Sequence, residues 1–566
     1  VGFDHGFGLE LVSFIRLDGV SEISRNPETI PYPMRSIVRK SVPVLISSLL
    51  VPFTVLAQDT TVTVSIPEAP ARIDPMIYGQ MLENVNDQMI YGGVAEKNGV
   101  VRKHVIPHLQ ELKIPVMRWP GGTVVYEYQW RNGIGPKNKR PTVPNLAWGG
   151  VENYQFGTDE FLQWCKEVGT VPYINLNMSL RPEHQGTLEE ALAWIAYVND
   201  EETTELGKLR AQNGHRDPYG VKFWCIGNEN YLNNRHGRVQ ETDEQYSKRL
   251  NEWAGAIRKS YPDLQLLGIG HTKKWNETVL AENGQLIDFL TQHYYVKSKV
   301  EDGKIQDPLR TLFAPAEMEA HLVVVGAQLR EANRKLGRED RPIRLSVDEW
   351  NNRHAVIGEK GFKLSRQSPR RAFDVPVIGG MLNAFIRQSP EVGMANYIFP
   401  VNAHGLVRTV GEDDAYRTAI YPVFKKYREQ MVGRKLDVVT KGASLDMTNI
   451  KPTIDGDTNY DKISMEGVSL PFVDSAAVLG DDGHVHVSLV NRSPDAPQAV
   501  TVSLPNGYKC ESVWKLSHQN INAMNDSGDR DVVKPSVDLV KEGSSKLVVE
   551  VPPCGVFIVK FARAGQ

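Results

Sequence analysis

Eight short apolar runs, each closing on polar or glycine-rich residues, set the tightest limit on what this chain can fold into. They are MIYGQML (76–82), IPVMRW (114–119), TVPYINLN (170–177), VKFWCIGNE (221–229), LQLLGIG (264–270), FLTQHYY (289–295), IRLSVDEW (343–350) and GMANYIFP (393–400). Apolar runs of this length read as buried strands. Helical patterns lie between them. In GTDEFLQWCKEVG (157–169), Phe161, Leu162, Cys165 and Val168 share a face. Thr158 is placed to cap that helix and Gly169 to end it. Leu188, Ala191, Leu192 and Ile195 repeat the spacing, and longer helical segments follow at 242–262 and 317–337. Strands alternating with helices over residues 76–433 predict an α/β fold, a closed (β/α)8 TIM barrel. An open doubly wound sheet is the structural alternative. GIG (268–270) and WGG (148–150) are too weak to suggest a nucleotide site.

The rhythm changes after residue 433. GHVHVSLVNRS, QAVTVSLPNG, SKLVVEVPP and CGVFIVKFA alternate or carry β-branched residues, and their turns are rich in Asp, Asn, Gly and Pro. Residues 434–566 are expected to form an all-β, jelly-roll-like sandwich. DTTVTVSIP (59–67) also alternates, and residues 58–75 are assigned to the same sandwich because a lone strand needs partners.

Residues 34–57 resemble a secretory signal. Arg35, Arg39 and Lys40 precede the short apolar stretch Val44–Leu56, and Val55 and Ala57 stand before a cleavage point at Gln58. Residues 1–33 lie upstream of it, and residues 1–57 are left out of the fold. The stretch is too short and broken for a membrane span. The mature chain is expected to be exported, periplasmic or extracellular, and not inserted in a membrane. Cys165 and Cys225 fall in core segments, whereas Cys510 and Cys554 both fall in the last domain, where a disulfide is an option after export. A net charge of −3 with no long basic block argues against nucleic acid as the main partner. A neutral ligand suits it better, with room for a modest local basic patch.

Barrels of this kind gather function at the C-terminal strand ends. Those ends supply Glu83, Arg118 with Trp119, Asn175 and Asn177, Asn228 with Glu229, His293 with Tyr295, Glu349 with Trp350, and Asn402. Two carboxylates, on strands four and seven, are the sharpest signal. Glycosidic cleavage needs such a pair, one to donate a proton and one to attack carbon or activate water. Asp348 and Glu349 are adjacent, so strand alternation should send only one inward, and Glu349 is the choice. A hydrogen bond from Tyr295 and the charge of Arg118 would keep it ionised. His293 reads equally well as a core histidine.

Taken together, IYGQMLEN (77–84), MRWPGG (117–122), CIGNEN (225–230), TQHYY (291–295), SVDEW (346–350) and YRTAIYPVF (416–424) resemble the retaining α-L-arabinofuranosidases of glycoside hydrolase family 51. The resemblance runs from about residue 60 to 562. It implies Glu229 as general acid/base and Glu349 as nucleophile. It places Glu83, Arg118, Asn228 and Tyr295 at substrate-binding or nucleophile-supporting positions, and Thr123 and Trp350 are added as substrate-binding candidates. It further implies no cofactor or metal, an arabinose-containing oligosaccharide or polysaccharide as partner, and a homo-oligomer. Two departures bear on specificity. Thr123 stands where the family usually has Asn after PGG, and NYLNNRHGR (230–238) replaces Met-Asp-Gly-aromatic, so that His236 and Arg238 line a different rim. Because the family includes β-glucan-cleaving members, a retaining endo-β-glucanase or xylan-active hydrolase stays open. So does a non-catalytic carbohydrate-binding protein.

Overall fold

The computed structural model describes residues 59–85, 88–232, 239–358, 361–365, 367–450, 461, 463–541 and 543–563. The signal-like segment and residues 233–238, with His236 and Arg238, lie outside them. Among the described residues no helix is long and apolar enough to cross a membrane.

The eight apolar runs form eight parallel strands, in order Gly79–Met81, Val116–Trp119, Val171–Leu176, Phe223–Ile226, Gln265–Ile269, Phe289–Glu301, Arg344–Gly358 and Val392–Tyr397. Each pairs with the next, the eighth pairs with the first, and the ring is closed. Helices coat the outside. On Thr158–Val168, Phe161 stacks on Trp119 with ring centroids 4.7 Å apart, and Trp194 of Leu188–Asn199 meets the same indole edge-on. These contacts anchor the end of the second strand, next to Arg118.

The sixth and seventh strands outrun the sequence reading, which ended them at 295 and 350. They stay paired from Arg344–Phe289 to Val356–Val300, and each turns into a short antiparallel strand, Lys304–Gln306 and Gly361–Ser365. Together they raise one wall of the barrel above its rim.

The second body is a nine-stranded sheet folded over its own core of Val62, Val64, Val487, Val500, Val502, Phe557 and Phe561. Thr60–Ser65 lies inside it, antiparallel to Arg434–Lys441 and parallel to Gln498–Ser503. Its inward positions 60, 62 and 64 are buried and the alternate ones exposed. The barrel leans on this sheet through helix Asp374–Arg387, where Arg387 pairs with Asp474 at 3.0 Å. All four cysteines are free and buried, so Cys510 and Cys554 are not joined. Cys510 sits on a strand, whereas Cys554 sits on a turn with its thiol facing the Ser493 carbonyl.

Candidate active site

The fourth strand stops at Ile226 because the next residues cannot continue it. Gly227 has φ +95° and Glu229 has φ +47°, a left-handed conformation that is costly for a residue with a side chain. Asn230 holds this bend, accepting from Asn228 N at 3.1 Å and donating to Glu241 at 2.6 Å. Glu241 is in turn paired with Arg249 at 2.7 Å. The bend lifts Glu229 out of the strand and aims it across the mouth of the barrel.

On the far side, the seventh strand carries a bulge. Val347 pairs with Gln292 and Glu349 with His293, leaving Asp348 as an extra residue. The expectation that alternation would send Asp348 and Glu349 to opposite faces is therefore corrected. Both point inward, and both meet Arg118. Arg118 Nε lies 3.1 Å from Asp348 and Nη1 donates to Glu349 Oε1 at 2.7 Å. Nε also reaches Asn175 Oδ1 at 3.2 Å, Nη1 the Met81 sulfur, and Nη2 donates to Asn228 Oδ1 at 2.7 Å. Asp348 is further held by Tyr173 at 2.8 Å and Ser346 at 2.6 Å. This fully buried guanidinium is the hub that joins the first and third strands and the end of the fourth to the nucleophile candidate.

Glu349 also accepts a hydrogen bond from the Tyr295 hydroxyl at Oε2. His293 Nδ1 stands between the two glutamates, 2.9 Å from Glu229 Oε1 and 3.7 Å from Glu349 Oε2. One oxygen of each glutamate and the histidine nitrogen all lie within 4.8 Å of one another. Burial pushes the Glu349 carboxyl up, His293 and Arg118 pull it down, and the balance lies below the ordinary carboxylate range. His293 moves the other way. Burial disfavours its charge, but Glu349 and Glu229 outweigh that and raise it. Such a trio also has the spacing of a cation site, yet the Arg118 guanidinium already neutralises Glu349, which disfavours a metal there.

The glycines of MRWPGG have a steric reason. A Cβ on Gly122 would lie 2.6 Å from Glu349 Oε1, and one on Gly121, at φ +131°, would lie 2.4 Å from the Glu83 side chain. Glu83 accepts from Val124 N at 2.9 Å and from Trp148 Nε1 at 3.0 Å. Thr123 is buried in the short turn Thr123–Tyr126 directly after Gly122. Asn228 is buried, and its Nδ2 has no hydrogen-bond partner among the described residues.

Glu83, Arg118, Thr123, Asn228, Glu229, Tyr295 and Glu349 thus gather at one end of the barrel. Trp350 does not. It is fully buried against Phe385, Tyr397 and Phe424 with ring centroids 5.1–5.6 Å away, on the helix side of the strand. Its assignment to substrate binding is corrected, because its indole is sealed among these rings, away from the carboxylates. Asn402 locks a loop by bonding Gln88 O and Thr409. Sequence reasoning undervalued His293, Asp348 and Trp148. For His293 the signal was its place two residues before Tyr295, on the same strand face.

Two family models cover most of this architecture. "Alpha-L-arabinofuranosidase 1 domain" matches residues 108–308 and "Alpha-L-arabinofuranosidase C-terminal domain" matches residues 348–554. A probable alpha-L-arabinofuranosidase C from Aspergillus niger is 32% identical over 509 residues, spanning 85% of this chain and 94% of the relative. The α-L-arabinofuranosidase of Thermotoga maritima, solved with arabinose, superposes with a TM-score of 0.75 at 27% identity, covering 89% of this chain and 99% of that one. The family 51 enzyme of Thermotoga petrophila gives a TM-score of 0.74 at 27% identity, with 89% and 100% covered. On this barrel, this sheet domain and these matches, the chain belongs to the α-L-arabinofuranosidases of glycoside hydrolase family 51.

Proposed function

We propose that this chain removes terminal, non-reducing α-L-arabinofuranosyl residues from arabinose-containing polysaccharides by double displacement with retention. The observation that carries the mechanism is the separation of the two glutamates. An oxygen of Glu229 lies within 4.8 Å of one on Glu349. Retaining glycosidases hold their carboxyl groups about 5–5.5 Å apart, while inverting ones need about 6.5–9.5 Å to admit a water.

The two glutamates sit in unlike settings, which supports a division of roles between them. Glu349 bears the charge of Arg118 and the hydroxyl of Tyr295, so it is anionic and aimed. It attacks the anomeric carbon and forms the glycosyl ester. Glu229, bonded to His293, gives its proton to the leaving oxygen as that bond breaks. Ester formation removes the charge on Glu349. Glu229, now an anion, takes a proton from water, which attacks the ester and frees arabinose with its original configuration. Asn228 Oδ1 is fixed by Arg118, which leaves Nδ2 as a donor for a glycone hydroxyl. Glu83, held by Trp148 and Val124 N, offers an acceptor on the opposite side, and Thr123 supplies a shorter reach than an Asn would.

Initial rates on 4-nitrophenyl α-L-arabinofuranoside, β-D-glucoside and β-D-xyloside test this reading. Turnover of the first, lost in Glu349→Ala, supports it. Turnover of only the other two by folded protein refutes the specificity. Export through residues 34–57 and assembly into homo-oligomers are further proposals, resting on the signal-like pattern and on the family resemblance. N-terminal sequencing of secreted protein and sedimentation test them.

A further inference from the structure

The raised wall formed by the sixth and seventh strands carries several cations, and one of them, Arg353, leans on the catalytic machinery without being used by it. Arg353 lies four residues beyond Glu349, about 13 Å along the strand. Its strand neighbours Asn352 and His354 face away from the site, bonding Asp374 at 2.7 and 3.1 Å. Alternation therefore puts Arg353 on the same side as the pocket. The guanidinium carbon sits 3.4 Å from the centroid of the Tyr295 ring, whose hydroxyl donates to Glu349. Arg353 Nε is enclosed and has no hydrogen-bond partner, and no carboxylate of the described residues pairs with this side chain.

A guanidinium has only donors, and its flat face is satisfied by stacking on an aromatic ring. Its edge is then presented for a planar, bidentate anion, the geometry a carboxylate matches best. The position fits the leaving group rather than the arabinose, since the glycone fills the pocket below and the rest of the substrate exits past the rim. Lys297 stands directly across the strand pair from Arg353, so the wall adds local positive charge to a chain that is slightly acidic overall, at −3.

We propose that Arg353 forms a rim subsite for a carboxylate on the leaving group, so that the preferred substrates carry arabinofuranose on or beside a uronic acid. This rests on the arabinofuranosidase reading above. The test uses the full chain and one arabinofuranosylated oligosaccharide containing a single uronic acid, offered as the free acid and as its methyl ester. Wild type is expected to favour the acid by about tenfold in kcat/KM, mainly through KM, with the preference eroded by salt. In Arg353→Met the two substrates become equal, whatever the basal rate. Equal rates on acid and ester in wild type, or a preference that survives Arg353→Met, overturn the proposal. In the latter case Arg353 serves only to hold Tyr295. 4-Nitrophenyl α-L-arabinofuranoside separates the failures. If folded wild type turns it over while acid and ester are equal, only the subsite is wrong. If it does not, the arabinofuranosidase reading falls and this proposal with it.

Discussion

Tyr295→Phe removes one hydroxyl from the site and keeps the ring. That hydroxyl donates to Glu349 Oε2, while Arg118 holds Oε1 at 2.7 Å. A hydrogen bond to a charged group contributes about 1.5–3 kcal/mol. Its loss acts on the anion alone, and about 1.4 kcal/mol corresponds to one pKa unit. The Glu349 carboxyl, which burial raises but His293, Arg118 and Tyr295 bring below the ordinary value, should therefore climb in the variant. The nucleophile works as an anion, so activity is lost as pH falls through that pKa. The acid limb of kcat/KM should move to higher pH with it, and the plateau should fall by about 10- to 100-fold as one oxygen loses its anchor. Stability follows the same sign. A carboxyl depressed in the folded state stabilises above its unfolded pKa, and that contribution disappears as pH falls through the folded value. The Tm difference between wild type and variant should thus be largest near neutrality and shrink in acid. Initial rates across the acid range, with circular dichroism at each pH, decide it. An unmoved acid limb in a folded variant refutes the role given to Tyr295.

Other changes separate chemistry from scaffold. Gly122→Ala puts a Cβ against Glu349 Oε1 and should lower kcat by about 100-fold with little change in Tm, because a small displacement of an attacking group is enough. Glu229→Ala should slow substrates with poor leaving groups by about 10²–10⁴-fold and activated aryl glycosides much less, and added azide should restore turnover as a glycosyl azide. Asp348→Ala leaves the buried Arg118 with one carboxylate fewer and should cost about 3–5 kcal/mol in urea unfolding. Trp350→Ala should cost about 3–5 kcal/mol through the cavity it leaves, with KM within about twofold of wild type.

The barrel was legible because its strands are buried on both faces and read as apolar runs. The two candidate glutamates were legible because each interrupts such a run with a charge. What the sequence hid is local geometry. Nothing in SVDEW distinguishes a regular strand from one with a bulge at Asp348, so the second carboxylate on Arg118 could not be read. Trp350 shows the opposite failure: the alternation that brought Glu349 inward already placed its neighbour outward, yet aromatic chemistry alone drew it to the site. The extensions at 296–301 and 351–358 were missed because the apolar runs give way there to polar residues, VKSKVE and NNRH, whose burial of Asn351, Asn352 and His354 only the fold reveals. His293 is one histidine among 14, and its role exists only through distances of 2.9 and 3.7 Å to two residues far away in sequence.

The central claim is that Glu349 becomes covalently bound to the sugar. A slow, fluorine-substituted arabinofuranosyl donor that traps the intermediate, followed by peptide mapping, tests it directly. The account predicts one added glycosyl mass on the peptide containing Glu349, and product arabinofuranose released first as the α anomer. A label on the Glu229 peptide, or no label with the β anomer appearing first, would contradict it.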